Sequence, residues 1–297
     1  MPSAIVVMGA FQRQSPTGHP MVKRTLTALT LLALAMPPVL LGGVWFFALI
    51  GLFVVIAAWE YVRLFRAAGS QPSMLTTVGG TLAILLARAF RPEYAGAALA
   101  FFILTAMAVH LYAYERGRDQ AALDFTATVG GLAYLGWIGA YLYDLRALPE
   151  GGWWLMFVLP TVWMADSSAY AIGAKYGKHK LAPRLSPKKS WEGYFAGVFT
   201  GTLYGGFFAW AYNVNSMLFG QPLLGHLAIS VWQGMAFGFA LSAVTILGDL
   251  GESLIKRQGQ IKDSGNLFPG HGGAFDRIDS WLWGAVIGVY WIRWFFL

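Results

Sequence analysis

The chain has 297 residues, of which 57% are apolar and only 12% charged, with 13 Trp, 13 Tyr and 21 Phe. A soluble globular domain carries about 25% charged residues, so this composition excludes soluble and disordered classes. The absence of cysteine excludes disulfide scaffolds, thiolate metal sites and cysteine nucleophiles. A net charge of +7 admits nucleic acid, anionic lipid or a phosphate-bearing substrate, and only the placement of the charges can choose among them.

The remaining class is all-α: a polytopic membrane bundle. Residues 1–20 are polar and turn-rich (Gln12, Arg13, Gln14, Ser15, Pro16) and read as a non-catalytic extension, with Met21 as an alternative start just before Lys23 and Arg24. A helix crossing a hydrocarbon core of ~30 Å needs about 20 mainly apolar residues. Nine such stretches follow, near 26–41, 43–59, 73–88, 95–113, 126–143, 153–173, 193–213, 232–248 and 280–296. Pro37-Pro38 and Gly42-Gly43 are expected to turn the first into the second. The first stretch does not read as a cleavable signal, because no small-x-small site follows it and a second apolar stretch comes at once. Gly193, Gly197, Gly201 and Gly205 form a four-residue stripe suited to close helix packing. Trp153, Trp154, Trp281, Trp283, Trp291 and Trp294 lie near span ends, where interfacial belts are expected. By organisation, residues 21–150 form an N-terminal set of helices and residues 151–297 a C-terminal catalytic region.

With a cytoplasmic N-terminus and nine spans, all but four of the 21 basic residues fall on the cytoplasmic side; Arg88, Arg91, Arg146 and Arg293 are the others. This positive-inside bias predicts the N-terminus in and the C-terminus out. The basic residues lie in short loops between spans, which argues against a nucleic-acid partner.

Acidic residues are scarce and concentrated. Of the 14, five fall between positions 249 and 279: Asp249, Glu252, Asp263, Asp276 and Asp279, interleaved with Lys256, Arg257, Lys262 and Arg277. Asp249, Glu252 and Lys256 are spaced for one helix face, as are Asp276 and Asp279. Between them, Pro269-Gly270-His271-Gly272-Gly273 cannot be regular helix and is expected to present backbone N–H groups to an anion. Carboxylates of this kind suit Mg²⁺, and the basic groups suit phosphates. A second concentration joins Asp166, Ser167 and Tyr170 to a loop with Lys175, Lys178, Lys180, Arg184, Lys188 and Lys189, followed by Ser190, Trp191, Glu192 and Gly193. Intramembrane acids beside such a loop read as a phosphate site. Glu60, between Trp59 and Tyr61, is expected to be interfacial or structural, and His110 and His226 to be ordinary interface residues.

At these positions the chain resembles the bacterial phosphatidate cytidylyltransferases, or CDP-diacylglycerol synthases. The resemblance rests on Ser253, Lys256, Arg257, Lys262, Asp263, Pro269, His271, Gly272, Gly273, Asp276, Arg277 and Asp279, and on the run Ser186 to Gly193 with Asp166, Ser167 and Tyr170 upstream. It implies an integral protein of the bacterial cytoplasmic membrane, with its active site facing the cytoplasm. The implied reaction is phospholipid synthesis in which CTP and phosphatidic acid give CDP-diacylglycerol and pyrophosphate with Mg²⁺; a second cation and a homodimer are left open. On that resemblance Asp249 and Asp276 are the foremost metal ligands, with Asp279, Asp263 and Glu252 supporting them. Lys256, Arg257, Lys262 and Arg277 would hold phosphates with His271 and the Gly272-Gly273 backbone, and Ser190, Lys188 and Lys189 would contact CTP or the lipid phosphate. Asp166 would hold a second metal or orient Lys189. A different CTP-using lipid enzyme, a lipid kinase and a secondary transporter are the competing readings, the last weakened by the lack of an inverted repeat.

Overall fold

In the computed structural model the described residues are 35–219, 229–265, 267 and 272–297. They are overwhelmingly helical. Residues 35–41 form a helical segment, and α1 (Gly43–Ala67), α2 (Met74–Phe90), a 3₁₀ turn (Pro92–Tyr94) and α3 (Ala95–Glu115) follow. Next come α4 (Ala121–Gly131), a π-helical turn (Leu132–Trp137) and α5 (Tyr141–Ala147), then α6 (Gly151–Tyr176). After a two-stranded ribbon, β1 (Lys180–Ala182) and β2 (Ser186–Ser190), come α7 (Trp191–Phe219), α8 (Val231–Val244), α9 (Ile246–Gln258) and α10 (Phe275–Phe295).

Among the described residues, five stretches are long and apolar enough to cross a membrane: Gly43–Ala67, Pro92–Glu115, Ala121–Ala147, Gly151–Tyr176 and Val231–Gln258. The helix Met74–Phe90 is apolar but shorter. The all-α expectation is amended at one place, the antiparallel ribbon, which pairs Lys180 with Ser190 and Ala182 with Ser186. Pro183 cannot donate to a strand ladder, and it sits in the turn between the two strands.

The break between the first two apolar stretches falls at the glycines, which adopt positive φ (Gly42 67°, Gly43 51°), while the segment carrying Pro37-Pro38 stays helical. Helix ends leave carbonyls without partners. Here the Arg146 guanidinium takes them, donating to the Val39 oxygen at 2.9 Å and the Leu40 oxygen at 3.1 Å. A side chain at Gly42 would run into that guanidinium, 2.6 Å from its Nη2.

Apolar and small residues fix the rest. The glycine stripe of α7 packs as expected: a Cβ at Gly197 would lie 2.8 Å from the Ala165 oxygen of α6, and one at Gly201 would lie 2.5 Å from the Ser242 Cβ of α8. Phe237 of α8 stacks between Phe157 of α6 at 4.7 Å and Trp291 of α10 at 5.5 Å. This aromatic column corrects the interfacial assignment for part of the tryptophans. Trp154 is buried and stacks on Phe296, Trp283 donates its indole N–H to the Tyr134 hydroxyl at 3.0 Å, and of the six named only Trp294 is largely exposed. Indole rings offer large apolar area, and a helix junction in the core captures it as readily as a bilayer interface.

Polar contacts sort the connections into two ends. At one end Arg118 pairs with Asp124 at 2.7 Å and donates to the Gly69 oxygen at 3.0 Å, while the Gln71 N–H donates to Asp124 at 2.6 Å. This joins the α1–α2 connection to the α3–α4 connection. At the other end Arg146 caps residues 39 and 40, and Arg88 pairs with Asp144.

Candidate functional site

The C-terminal site begins with a close approach of two backbones. A Cβ at Gly248 would stand 2.8 Å from the Ser280 Cα, so α9 touches the first turns of α10 without an intervening side chain. That contact brings Asp249, Glu252 and Lys256, which share the inner face of α9, beside Asp276 and Asp279 of α10. The helical spacing read from the sequence is realised in both helices.

Lys256 is the hub. Its Nζ lies 2.7 Å from Glu252 Oε2 and 2.7 Å from Asp276 Oδ1, and all three side chains are nearly excluded from solvent. Two carboxylates on one buried ammonium offset its desolvation, which would otherwise cost several kcal/mol. The second oxygen of Asp276 accepts the Ser264 N–H at 2.9 Å, the Ser264 hydroxyl at 2.8 Å and the Gly273 N–H at 2.8 Å. Of the loop N–H groups expected to face an anion, that of Gly273 donates to the Asp276 carboxylate. Gly272 adopts φ +84°, a conformation that side chains rarely take.

Behind this loop stands Glu60 of α1, 1% exposed. Its carboxylate accepts the Ser264 hydroxyl at 2.9 Å, the Ala274 N–H at 3.1 Å and the Phe275 N–H at 2.8 Å. Of the two expectations for Glu60, interfacial or structural, the structural one holds: it is an internal tether.

A second ion pair brings in the ribbon. Lys189 Nζ lies 2.6 Å from Asp249 Oδ2, and Ser253 Oγ is 3.3 Å from Asp249 Oδ1. Successive residues of a strand point to opposite faces, so Lys189 reaches Asp249 while Lys188 is exposed on the other side. Arg257 Nε donates to the Leu185 oxygen at 3.2 Å, fastening the ribbon tip to the end of α9. Ser190 is buried at the start of α7, where its Oγ accepts the Gly193 N–H at 3.2 Å; its first role is that of a helix cap. Glu192 clasps the ribbon base, accepting the Lys178 and His179 N–H groups at 3.2 Å and meeting His179 Nδ1 at 2.6 Å. Its own backbone N–H, His179 and these neighbouring N–H groups lower the Glu192 carboxyl to about 2.

The remaining residues complete the surroundings. Asp166, on α6, interacts electrostatically with Lys189, Asp249 and Arg277. Asp279 is buried, accepts the Ser280 N–H at 2.6 Å, and feels the charges of Asp249, Asp166 and Lys256. Arg277 is exposed at the first turn of α10, and Lys262 and Asp263 are exposed in the turn after α9, so Asp263 stands apart from the buried acids. His271 lies outside the described residues. Sequence reading did not single out Ser264, and nothing in its local pattern marks it. It gave Glu60 too small a part, although a lone acid in an apolar helix was a signal.

Asp166, Asp249, Glu252, Asp276 and Asp279 outnumber the cationic groups among them, and Glu252 Oε1 is buried without a hydrogen-bond partner. That orphan acceptor and the excess of carboxylates fit a divalent cation. Among the described residues no three acidic or histidine side chains are grouped to hold an ion by themselves. Mg²⁺ is commonly bound by one or two carboxylates together with substrate phosphates, so such a group is not required.

Comparison with known proteins bears on this arrangement. Residues 22–295 match the family model described as the cytidylyltransferase family. Curated relatives named phosphatidate cytidylyltransferase include one from Synechocystis sp., 30% identical over 91% of this chain and 96% of the relative. Another, from Pseudomonas aeruginosa, is 36% identical over 87% of this chain and 92% of the relative. A third, from Staphylococcus aureus, is 30% identical over 87% and 94%.

Proposed function

The chain belongs to the cytidylyltransferase family, among the bacterial phosphatidate cytidylyltransferases, and from that premise we propose that the cluster around Lys256 and Lys189 joins CTP to phosphatidic acid. The products are CDP-diacylglycerol and pyrophosphate, a step of phospholipid biosynthesis. An oxygen of the lipid phosphate forms a bond to the α-phosphorus of CTP. The bond from that phosphorus to the α–β bridging oxygen breaks, and pyrophosphate leaves with the electron pair. The nucleophile is already ionised, so a strong base is unnecessary; the difficulty is to hold two polyanions together and to stabilise charge on the leaving group.

The observation that carries this reading is the pair of carboxylate-held lysines, Lys256 between Glu252 and Asp276 and Lys189 on Asp249. Each ammonium is positioned in advance, so stabilising a phosphate requires little reorganisation. Lys256, Lys189 and Arg277 are assigned to the phosphates nearest the reacting bond. Arg257, Lys262, Lys188 and the Gly272 region take the outer phosphates or the lipid headgroup, with His271 kept from the family resemblance. Ser190 and Asp166 set the position of Lys189 from either side. Asp249, Asp276, Asp279 and Glu252 would hold Mg²⁺, the first two through oxygens that ammonium groups now contact, and the ion would supply charge neutralisation on the phosphates.

The setting we propose is the bacterial cytoplasmic membrane, with nine spans, the N-terminus and the site cytoplasmic, and the C-terminus outside. Its support is the positive-inside bias together with the contacts that gather Glu60, the ribbon and α9 around one site. The exposed ridge of Phe195, Phe199, Leu203 and Phe207 on α7 is the face offered to lipid or to a second copy in a homodimer.

The test is purified protein in detergent with labelled CTP and phosphatidic acid. CDP-lipid and pyrophosphate in equal amounts are expected. CDP with a newly phosphorylated lipid would replace this reading by a kinase, and substrate flux across liposomes without a chemical product would replace it by a transporter.

A further inference from the structure

Glu60 is remote in sequence from every other polar residue of the site, yet it meets the loop before α10 through three hydrogen bonds. Two of them engage the first N–H groups of α10, one at each carboxylate oxygen: Ala274 at Oε1 and Phe275 at Oε2. These N–H groups have no partner within the helix, and a carboxylate there is also favoured by the helix dipole. The third bond is to Ser264, whose hydroxyl oxygen stands 2.9 Å from Glu60 Oε2 and 2.8 Å from Asp276 Oδ2. Gly265 and Gly273 lie against the Glu60 carboxylate, and added Cβ atoms at both would collide with it. A side chain at either position would force the carboxylate to move.

We propose that Glu60 is a positioning residue for nucleotidyl transfer, fixing through Ser264 and the start of α10 the orientation in which Asp276 holds Lys256. This rests on the reading that Lys256 and Asp276 serve the reaction. Glu60 acts at one remove: it touches Ser264, Ala274 and Phe275, and these set Asp276, which in turn holds the Lys256 ammonium 2.7 Å away. The single Ser264 proton can serve only one carboxylate at a time. The serine is thus a donor shared between the tether and the site, and it can follow Asp276 when the charge beside Asp276 changes.

Glu60→Gln is the informative substitution. Because each carboxylate oxygen accepts an N–H of α10, the amide group must face one N–H with another donor, whichever way it turns. Glu60→Asp keeps both acceptors and the charge but shortens the reach, and Ser264→Ala removes the link to Asp276 while leaving the two α10 contacts. In the purified full chain, Glu60→Gln is expected to lower kcat by about 10- to 100-fold, the scale of a small misplacement of reacting groups, with KM for CTP changed by less than about threefold. Glu60→Asp should recover part of kcat. If the two residues act as one unit, adding Ser264→Ala to Glu60→Gln should cost no more than about a further threefold.

The inference is overturned if Glu60→Gln keeps wild-type kcat, if its loss appears only in KM, or if the two substitutions multiply. It is also overturned if the loss follows the melting temperature and disappears on assay at lower temperature, since a merely structural tether would behave so. If Glu60→Gln cannot be purified folded, Glu60→Asp and Ser264→Ala decide it: unchanged kcat in both counts against the inference, and reduced kcat in both at unchanged melting temperature supports it. Asp276→Asn is the separate control. Wild-type turnover there removes the site reading itself, whereas an inactive Asp276→Asn beside a fully active Glu60→Gln removes only the tether.

Discussion

Lys189 of the ribbon and Asp249 of α9 form an ion pair, Nζ to Oδ2 at 2.6 Å, and both side chains keep partial access to solvent. A pair so placed can be opened by a substrate at little cost, unlike the enclosed Glu252–Lys256–Asp276 group. Removing the ammonium with Lys189→Met is therefore expected to lower kcat/KM by about 10²-fold, the scale of losing one preorganised donor, and to leave the melting temperature within a few degrees. Steady-state assays paired with thermal unfolding in detergent check both halves.

Asp276→Asn reaches deeper. The amide loses one of the two charges that hold Lys256, and its NH₂ must meet either Lys256 or the Ser264 and Gly273 N–H groups, which donate to the other oxygen. Breaking a buried pair costs about 3–5 kcal/mol, so a clear fall in melting temperature should accompany loss of turnover. Exchanging Lys256 for Met in the same chain should lower stability further, because it strips the buried Glu252 carboxylate of its cation, and should leave turnover absent.

Glu192 gives a pH prediction. Its carboxyl is lowered from 4.5 to about 2 by hydrogen bonds it gains on folding. A depressed carboxyl stabilises the folded form fully above its unfolded value, and the contribution is lost as pH falls towards the folded one. Protection of the Lys178 and His179 amides, corrected for intrinsic exchange, should stay level from about pH 8 to 5 and decline below about 4.5. In Glu192→Gln the profile should be flat and lower throughout.

Chelation tests the metal. With EDTA the turnover of CTP should vanish and return on adding Mg²⁺, and Glu252→Gln should raise the Mg²⁺ concentration needed for half-maximal rate. Full turnover in EDTA would remove the ion from the reaction.

Two glycines should respond in opposite ways. A Cβ at Gly205 would run into the Gly234 oxygen and lie 3.0 Å from the Gly238 Cα, both backbone atoms that cannot yield, whereas one at Gly79 meets nothing within 4 Å. Gly205→Ala should destabilise by about 1–3 kcal/mol. Gly79→Ala should be neutral or stabilising by up to about 1 kcal/mol, because alanine favours a helix interior. Denaturation of the two variants side by side measures the difference.

Much of this architecture can be read from the sequence because bilayer length and helical period are local signals. The apolar stretches, the glycine stripe and the carboxylate faces at 249–256 and 276–279 depend only on neighbours within a few residues. The contacts made by Glu60 and Ser264 depend on a fold that joins distant segments, and no local spacing encodes them. Trp154 illustrates the same limit: its position near a helix end was legible, but its burial against Phe296 required the packing of α6 on α10. The ribbon was hidden for another reason, since four basic residues and two prolines carry weak strand preference and its pairing is stabilised by Glu192 and Arg257 from outside.

The Arg146 clasp on the Val39 and Leu40 carbonyls has a consequence for biogenesis. The turn at Gly42 is made early in translation, but the guanidinium that completes it is synthesised about a hundred residues later. Until residue 146 leaves the ribosome and reaches this turn, the Val39 and Leu40 carbonyls lack the donor that caps them. The turn is therefore made before it is locked, and the arrival of α5 sets the moment at which residues 39 and 40 are held.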